Sequence, residues 1–144
     1  DVWARLERDG TVTLGMTDPA QTRCGKVVNV RFKSVGRRVA IGQSLATIES
    51  AKWVGPLPAP LSGVIAANNE AGFRADILAA NRDPYGAGWL VRLEPAAWEA
   101  ERARLLTGPA AAERYRARID EHKVNCMRCA PEPEGDTENP DGEG

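Results

Sequence analysis

The stretch Gly42-Gln43-Ser44-Leu45-Ala46-Thr47-Ile48-Glu49-Ser50-Ala51-Lys52-Trp53-Val54-Gly55-Pro56-Leu57-Pro58-Ala59-Pro60-Leu61-Ser62-Gly63 decides how the chain is read. Ser44 to Ser50 reads as a strand. Pro56, Pro58 and Pro60 bar a long helix after it, because proline lacks an N–H and clashes with the preceding turn. Lys52 lies ten residues after Gly42 and eleven before Gly63. Two strands of similar length leave it near the tip of a β-hairpin, where an amine is exposed and reachable by a modifying enzyme. A lone surface lysine is usually a solvated charge; the glycine frame on both sides sets this one apart.

Short strands continue on both sides of the hairpin. Val2 to Leu6 and Thr11 to Met16 alternate, with Asp9-Gly10 as the hairpin signal between them. Lys26 to Phe32 is β-branched and alternating, Arg38 to Ala40 is brief, and Gly63 to Asn68 and Trp89 to Leu93 complete the series. Asp18 reads as an N-cap with Pro19 at the first helical position. Ala75 to Ala80 reads as one or two helical turns. Strands at this spacing predict an all-β sandwich or barrel. The composition changes at Pro95. Residues 96–106 are strong helix formers, with Trp98, Leu105 and Leu106 as an apolar side. Gly108-Pro109 ends that helix and starts another, with Ala112, Tyr115 and Ile119 on one face, to about His122. The expected division is a β domain over 1–95, a helical extension over 96–124, and a Cys-x-x-Cys with a disordered acidic tail over 125–144.

The whole chain has 144 residues, 42% apolar and 27% charged, which fits one soluble globular domain. No apolar run is long enough to cross a membrane, and no N-terminal segment reads as a signal peptide. With three cysteines, Cys24, Cys126 and Cys129, a secreted disulfide scaffold is excluded and the cytoplasm is the expected compartment. Residues 131–144 hold six acids and no base, which leaves residues 1–130 with a net charge of +5. That charge favours acidic partner surfaces but is too scattered for nucleic acid. Cys126 and Cys129 are candidates for a redox or disulfide role. With His122 they make three possible metal ligands and Cys24 a distant fourth, but no metal site is assigned. Cys24 by itself reads as a small buried hydrophobe. His122 is the only histidine and sits in the helical part, which excludes a hydrolase triad.

Glu49-Ser50-Ala51-Lys52, followed by Ala59-Pro60-Leu61-Ser62-Gly63, resembles the lipoylation hairpin of the glycine cleavage system H protein family. The segments Gly15 to Gln21, Gly25 to Val30 and Asp83 to Leu90 resemble further parts of that family, so the resemblance spans about residues 2–98. It implies a mainly β, lipoyl/biotinyl-type flattened β-barrel, a two-sheet sandwich, with C-terminal helices. It implies lipoate joined by an amide to Lys52, and recognition of Glu49 by the lipoate-attaching enzyme. It also implies a monomeric carrier with no catalysis of its own. Biotin hairpins usually place Met on both sides of the lysine, whereas here the neighbours are Ala51 and Trp53. Several features depart from the H protein pattern: Asp1-Val2-Trp3, Cys24, the basic residues Arg23, Lys26, Arg31, Lys33, Arg37 and Arg38, and Cys126-Met127-Arg128-Cys129. In these the chain is similar to the lipoate-binding proteins of heterodisulfide-reductase-like sulfur oxidation. The first expectation is therefore a sulfur carrier serving a heterodisulfide-reductase-like complex and sulfur-transfer proteins. The alternative is the glycine cleavage carrier of the aminomethyl group, with glycine decarboxylase, aminomethyltransferase and dihydrolipoamide dehydrogenase as partners. A third reading is a non-lipoylated binding module in which Lys52 stays free.

Overall fold

The computed structural model describes residues 1–123. The expectations for Cys126, Cys129 and the acidic tail lie outside the described residues. Two antiparallel sheets make up the body. One has five strands in the order β1-β2-β8-β7-β4 and the other has three in the order β3-β5-β6. The strands are β1 (Val2–Leu6), β2 (Val12–Met16), β3 (Val27–Phe32), β4 (Arg38–Val39), β5 (Ser44–Ser50), β6 (Val54–Pro58), β7 (Gly63–Asn68) and β8 (Val91–Pro95). The sheets remain separate ladders, so the expected flattened barrel takes its sandwich form.

Alternation puts one row of each strand between the sheets. Val12 and Leu14 of β2, Leu45 and Ile48 of β5, Ile65 of β7 and Leu93 of β8 are almost wholly buried and belong to one core. Burying such a side chain stabilises by roughly 1.5–3 kcal/mol relative to leaving it exposed. In β2 all five residues are buried, because its other face is covered too. There the Thr13 hydroxyl donates to Glu7 at 2.8 Å, and the Trp3 indole lies over Gly15, directly opposite it in the ladder. The Trp3 ring is pinned by its own N–H, which donates to Pro84 O at 2.9 Å.

Pro56 and Pro58 fall within β6 and therefore do more than bar a helix. The strand lies at a sheet edge, where a missing N–H costs no ladder bond and blocks pairing with another chain.

The helices depart further from the sequence pattern than the strands do. Helix α1 (Asp18–Cys24) is capped by Thr17, whose hydroxyl accepts from the Ala20 N–H at 3.3 Å. Asp18 is the first helical residue and accepts from the Gln21 side-chain amide at 2.7 Å. The turns expected at 75–80 are the adjoining ends of two helices that extend beyond that span, α2 (Glu70–Ala75) and α3 (Ala79–Arg82). Helix α2 begins early because Phe73 is buried against Phe32, with ring centroids 5.7 Å apart. The helix expected over 96–106 is only α4 (Trp98–Glu101) and a 3₁₀ turn over 102–104. Glu101 turns back to the β6–β7 connection, accepting from the Ser62 N–H at 2.8 Å and hydroxyl at 2.6 Å. Helix α5 (Gly108–His122) runs as the sequence predicts. Tyr115 and Ile119 are half-buried, but Ala112 is exposed. The Tyr115 hydroxyl is hydrogen-bonded to that of Tyr85, which accepts from the Asp18 N–H at 2.9 Å, so α5 is fastened to the start of α1. Burial pushes the Tyr115 phenol above its ordinary pKa, helped by the Tyr85 hydrogen bond. No helix among the described residues is long and apolar enough to cross a membrane.

Candidate functional site

Strands β5 and β6 pair from Ser44↔Pro58 to Glu49↔Val54. The chain reverses beyond that last pair, and Lys52 sits exposed in the reversal. The Ser50 N–H donates to Trp53 O at 2.7 Å and closes the tip. The glycine frame in the sequence therefore marks a real hairpin with the lysine at its end.

The floor under Lys52 is the turn from α1 into β3. A Cβ built on Gly25 would lie 3.0 Å from Lys52 Cε, so the lysine stem crosses a residue with no side chain. Gly25 has φ +83°, a left-handed conformation that glycine adopts without strain. Asn81 of α3 holds this turn from both sides. Its Nδ2 donates to Gly25 O at 2.9 Å, and its Oδ1 accepts from the Val27 N–H at 2.9 Å. Asn81 Nδ2 also donates to Oε1 of Gln21 at 3.0 Å, and Gln21 is only 2% exposed. Sequence reasoning missed Asn81, and no local signal marks it, because it stands 56 residues from the glycine that it braces.

Glu49 lies on the outer face of the three-stranded sheet, in one row with Asn29 and Val54. It is half-buried and sits at the lysine end of its strand. Cys24 ends α1, is 4% exposed and belongs to the core. Burial pushes its thiol above the ordinary cysteine range, although the nearby Ser50 side chain and the Lys52 charge pull the other way. His122 ends α5, where Nε2 meets Arg118 at 3.5 Å. Among the described residues no group of three or more His, Cys, Asp or Glu could hold a metal ion.

A cleft of about 360 Å³ opens between the β6 edge and α1, with Cys24, Ile48, Trp53 and Leu57 in its walls and Arg23 and Arg118 among its lining residues. An exposed amine on a short turn, a bare glycine under its stem and an apolar cleft alongside fit a long, partly apolar group on Lys52. The chemistry at the tip itself is that of a primary amine open to acylation.

The family model described as Glycine cleavage H-protein matches residues 1–119. The Glycine cleavage system H protein 2 of Aquifex aeolicus is 42% identical over 126 residues, covering 87% of this chain and 77% of that protein. The Probable glycine cleavage system H protein 2 of Saccharolobus solfataricus is 42% identical over 127 residues, covering 88% and 84%. Among solved structures, a glycine cleavage system H protein from Mycobacterium marinum matches with a TM-score of 0.64 at 31% identity, over 85% of this chain and 91% of that one. These names favour the pathway reading placed second from the sequence over the sulfur reading placed first. The chain belongs to the glycine cleavage H-protein family, whose members are carriers, not catalysts, and hold lipoate covalently on a lysine.

Proposed function

We propose that Lys52 is the lipoyl-bearing lysine and that the chain carries the aminomethyl group between the enzymes of glycine cleavage, in the cytoplasm. The observation that carries this reading is the exposed amine of Lys52 on a closed hairpin turn. When bound, the lipoyl group supplies a dithiolane whose sulfurs take up and release cargo. The protein contributes placement. It holds the arm's root on a rigid turn, so that a tethered reactant meets successive partner sites at high effective concentration. Glu49, on the outer face at the same end of β5, serves as a contact for the lipoate-attaching enzyme. Glycine decarboxylase, aminomethyltransferase and dihydrolipoamide dehydrogenase are the partners of the loaded carrier.

The test is glycine-dependent carbon dioxide release by those three enzymes, with this protein, lipoylated at Lys52, as the only carrier. Release that disappears with Lys52→Arg supports the proposal. No release from a fully lipoylated carrier, in a mixture that works with another H protein, overturns the glycine reading.

A further inference from the structure

Beyond the pair Glu49↔Val54 the ladder gives no acceptor to the N–H groups of Lys52 and Trp53. Both are satisfied by one atom, Ser50 Oγ, at 3.4 and 3.0 Å. The same hydroxyl has Trp53 O as an acceptor at 3.3 Å. Ser50 is 6% exposed, and it stands opposite Val27 of β3 in the ladder, which ties the tip to the strand that follows α1. On the far side of the turn the Trp53 indole lies over Gly55, where a Cβ would come within 2.1 Å of the ring. The residues on both sides of Ala51-Lys52 are therefore anchored, and the lysine side chain projects from a fixed backbone.

Alanine in place of Ser50 removes the acceptor of both part-buried N–H groups, on two residues that are themselves exposed. Water that reaches these groups can replace the lost bonds, but it does not fix the direction of the turn. We infer that Ser50 is a positioning residue for the acylation of Lys52, acting through the lysine's own backbone to aim its amine. The inference rests on the reading of Lys52 as the attachment site. In the step concerned, the ammonium of Lys52 first gives up a proton. The neutral amine then forms a C–N bond to the activated carboxyl of lipoate, an acyl phosphate-type derivative supplied by the attaching enzyme. The C–O bond to the phosphate leaving group breaks, and the amine's second proton passes to solvent. Such an attack needs close and aligned reacting atoms, and a displacement of about 1 Å can cost up to 10²-fold in rate.

The experiment is steady-state lipoyl transfer to the full chain by a lipoate-attaching enzyme with ATP and lipoate, followed by intact mass. Ser50→Ala should lower kcat about tenfold with KM nearly unchanged, because docking is intact and only aim is lost. Ser50→Thr, which keeps the hydroxyl, should restore most of kcat. Thr47→Ala, on the outer face of the same strand, should behave as wild type. If Ser50→Ala fails to fold, Ser50→Cys replaces it, with the same loss of kcat expected. An unchanged kcat in a folded Ser50 variant overturns the inference, as does a rise in KM alone, which assigns Ser50 to recognition. A wild-type chain left unmodified at Lys52 strikes instead at the reading beneath it.

Discussion

The two sheets of the sandwich differ in how many of their faces are covered. In the five-stranded sheet, β2 is buried on both sides, between the core and the Trp3 and Glu7 side chains. In the three-stranded sheet one face is buried, and the other shows Arg31, Thr47 and Pro56 in one row and Asn29, Glu49 and Val54 in the next. The first sheet holds the molecule together; the second presents the hairpin and its lysine. A carrier needs both: a scaffold that does not yield, and a turn that can be approached from the side without unfolding anything.

This contrast predicts a gradient of mutational cost. Leu14→Ala empties a fully buried position in the centre of β2 and should cost about 3–4 kcal/mol in denaturant unfolding. Gly63→Ala is next. Its Cβ would meet the Glu94 carbonyl oxygen at 2.1 Å, and backbone cannot step aside as a side chain can. A loss of about 2–3 kcal/mol is expected, read as a fall in Tm on the order of 10 °C. Val54→Thr, on the outer face at 62% exposure, should stay within about 0.5 kcal/mol of wild type. A Val54→Thr cost equal to that of Leu14→Ala would erase the distinction between the sheets.

A smaller, pH-dependent effect sharpens the picture at the α4 junction. The hydrogen bonds from Ser62, led by its hydroxyl, hold the Glu101 carboxyl below the ordinary glutamate range. A carboxylate whose pKa is lowered by folding stabilises the fold above its unfolded pKa, and that stability is lost as pH falls through the folded value. Wild type should therefore exceed Glu101→Gln in Tm at neutral pH, and the gap should close on acidification below the usual glutamate range. A gap that persists unchanged into strong acid would mean that the charge of Glu101 does not matter there.

The hairpin was legible because its signals are local. Alternation marks β5, the prolines exclude a helix, and Gly42 and Gly63 frame the hairpin from outside, one just before β5 and the other at the start of β7. The two glycines are required for different reasons that the sequence does not separate. Gly42 needs its left-handed φ of +84° in open space, whereas Gly63 is required because the β8 backbone leaves no room. The shortened helix after Pro95 was not legible, since Glu101 is held by a serine 39 residues away. Nor was the start of α2, set by Phe73 reaching Phe32 across the fold. At the site, Lys52 could be read from its frame. Asn81 and the bonds of Ser50 could not, because they depend on where side chains and turn amides come together in space.

The central claim is that position at the hairpin tip, not exposure, selects the lysine that bears the arm. The chain offers a direct comparison, with lysines at Lys26, Lys33, Lys52 and Lys123. Lys26 is exposed as well and lies next to the Gly25 floor. The decisive measurement is peptide mapping by mass spectrometry after lipoylation of the full chain, wild type beside Lys52→Arg, whose guanidinium stays protonated and cannot be acylated. The account predicts a single lipoyl increment on the Lys52 peptide and none in the variant. An increment on Lys26, or one that survives Lys52→Arg, would contradict it.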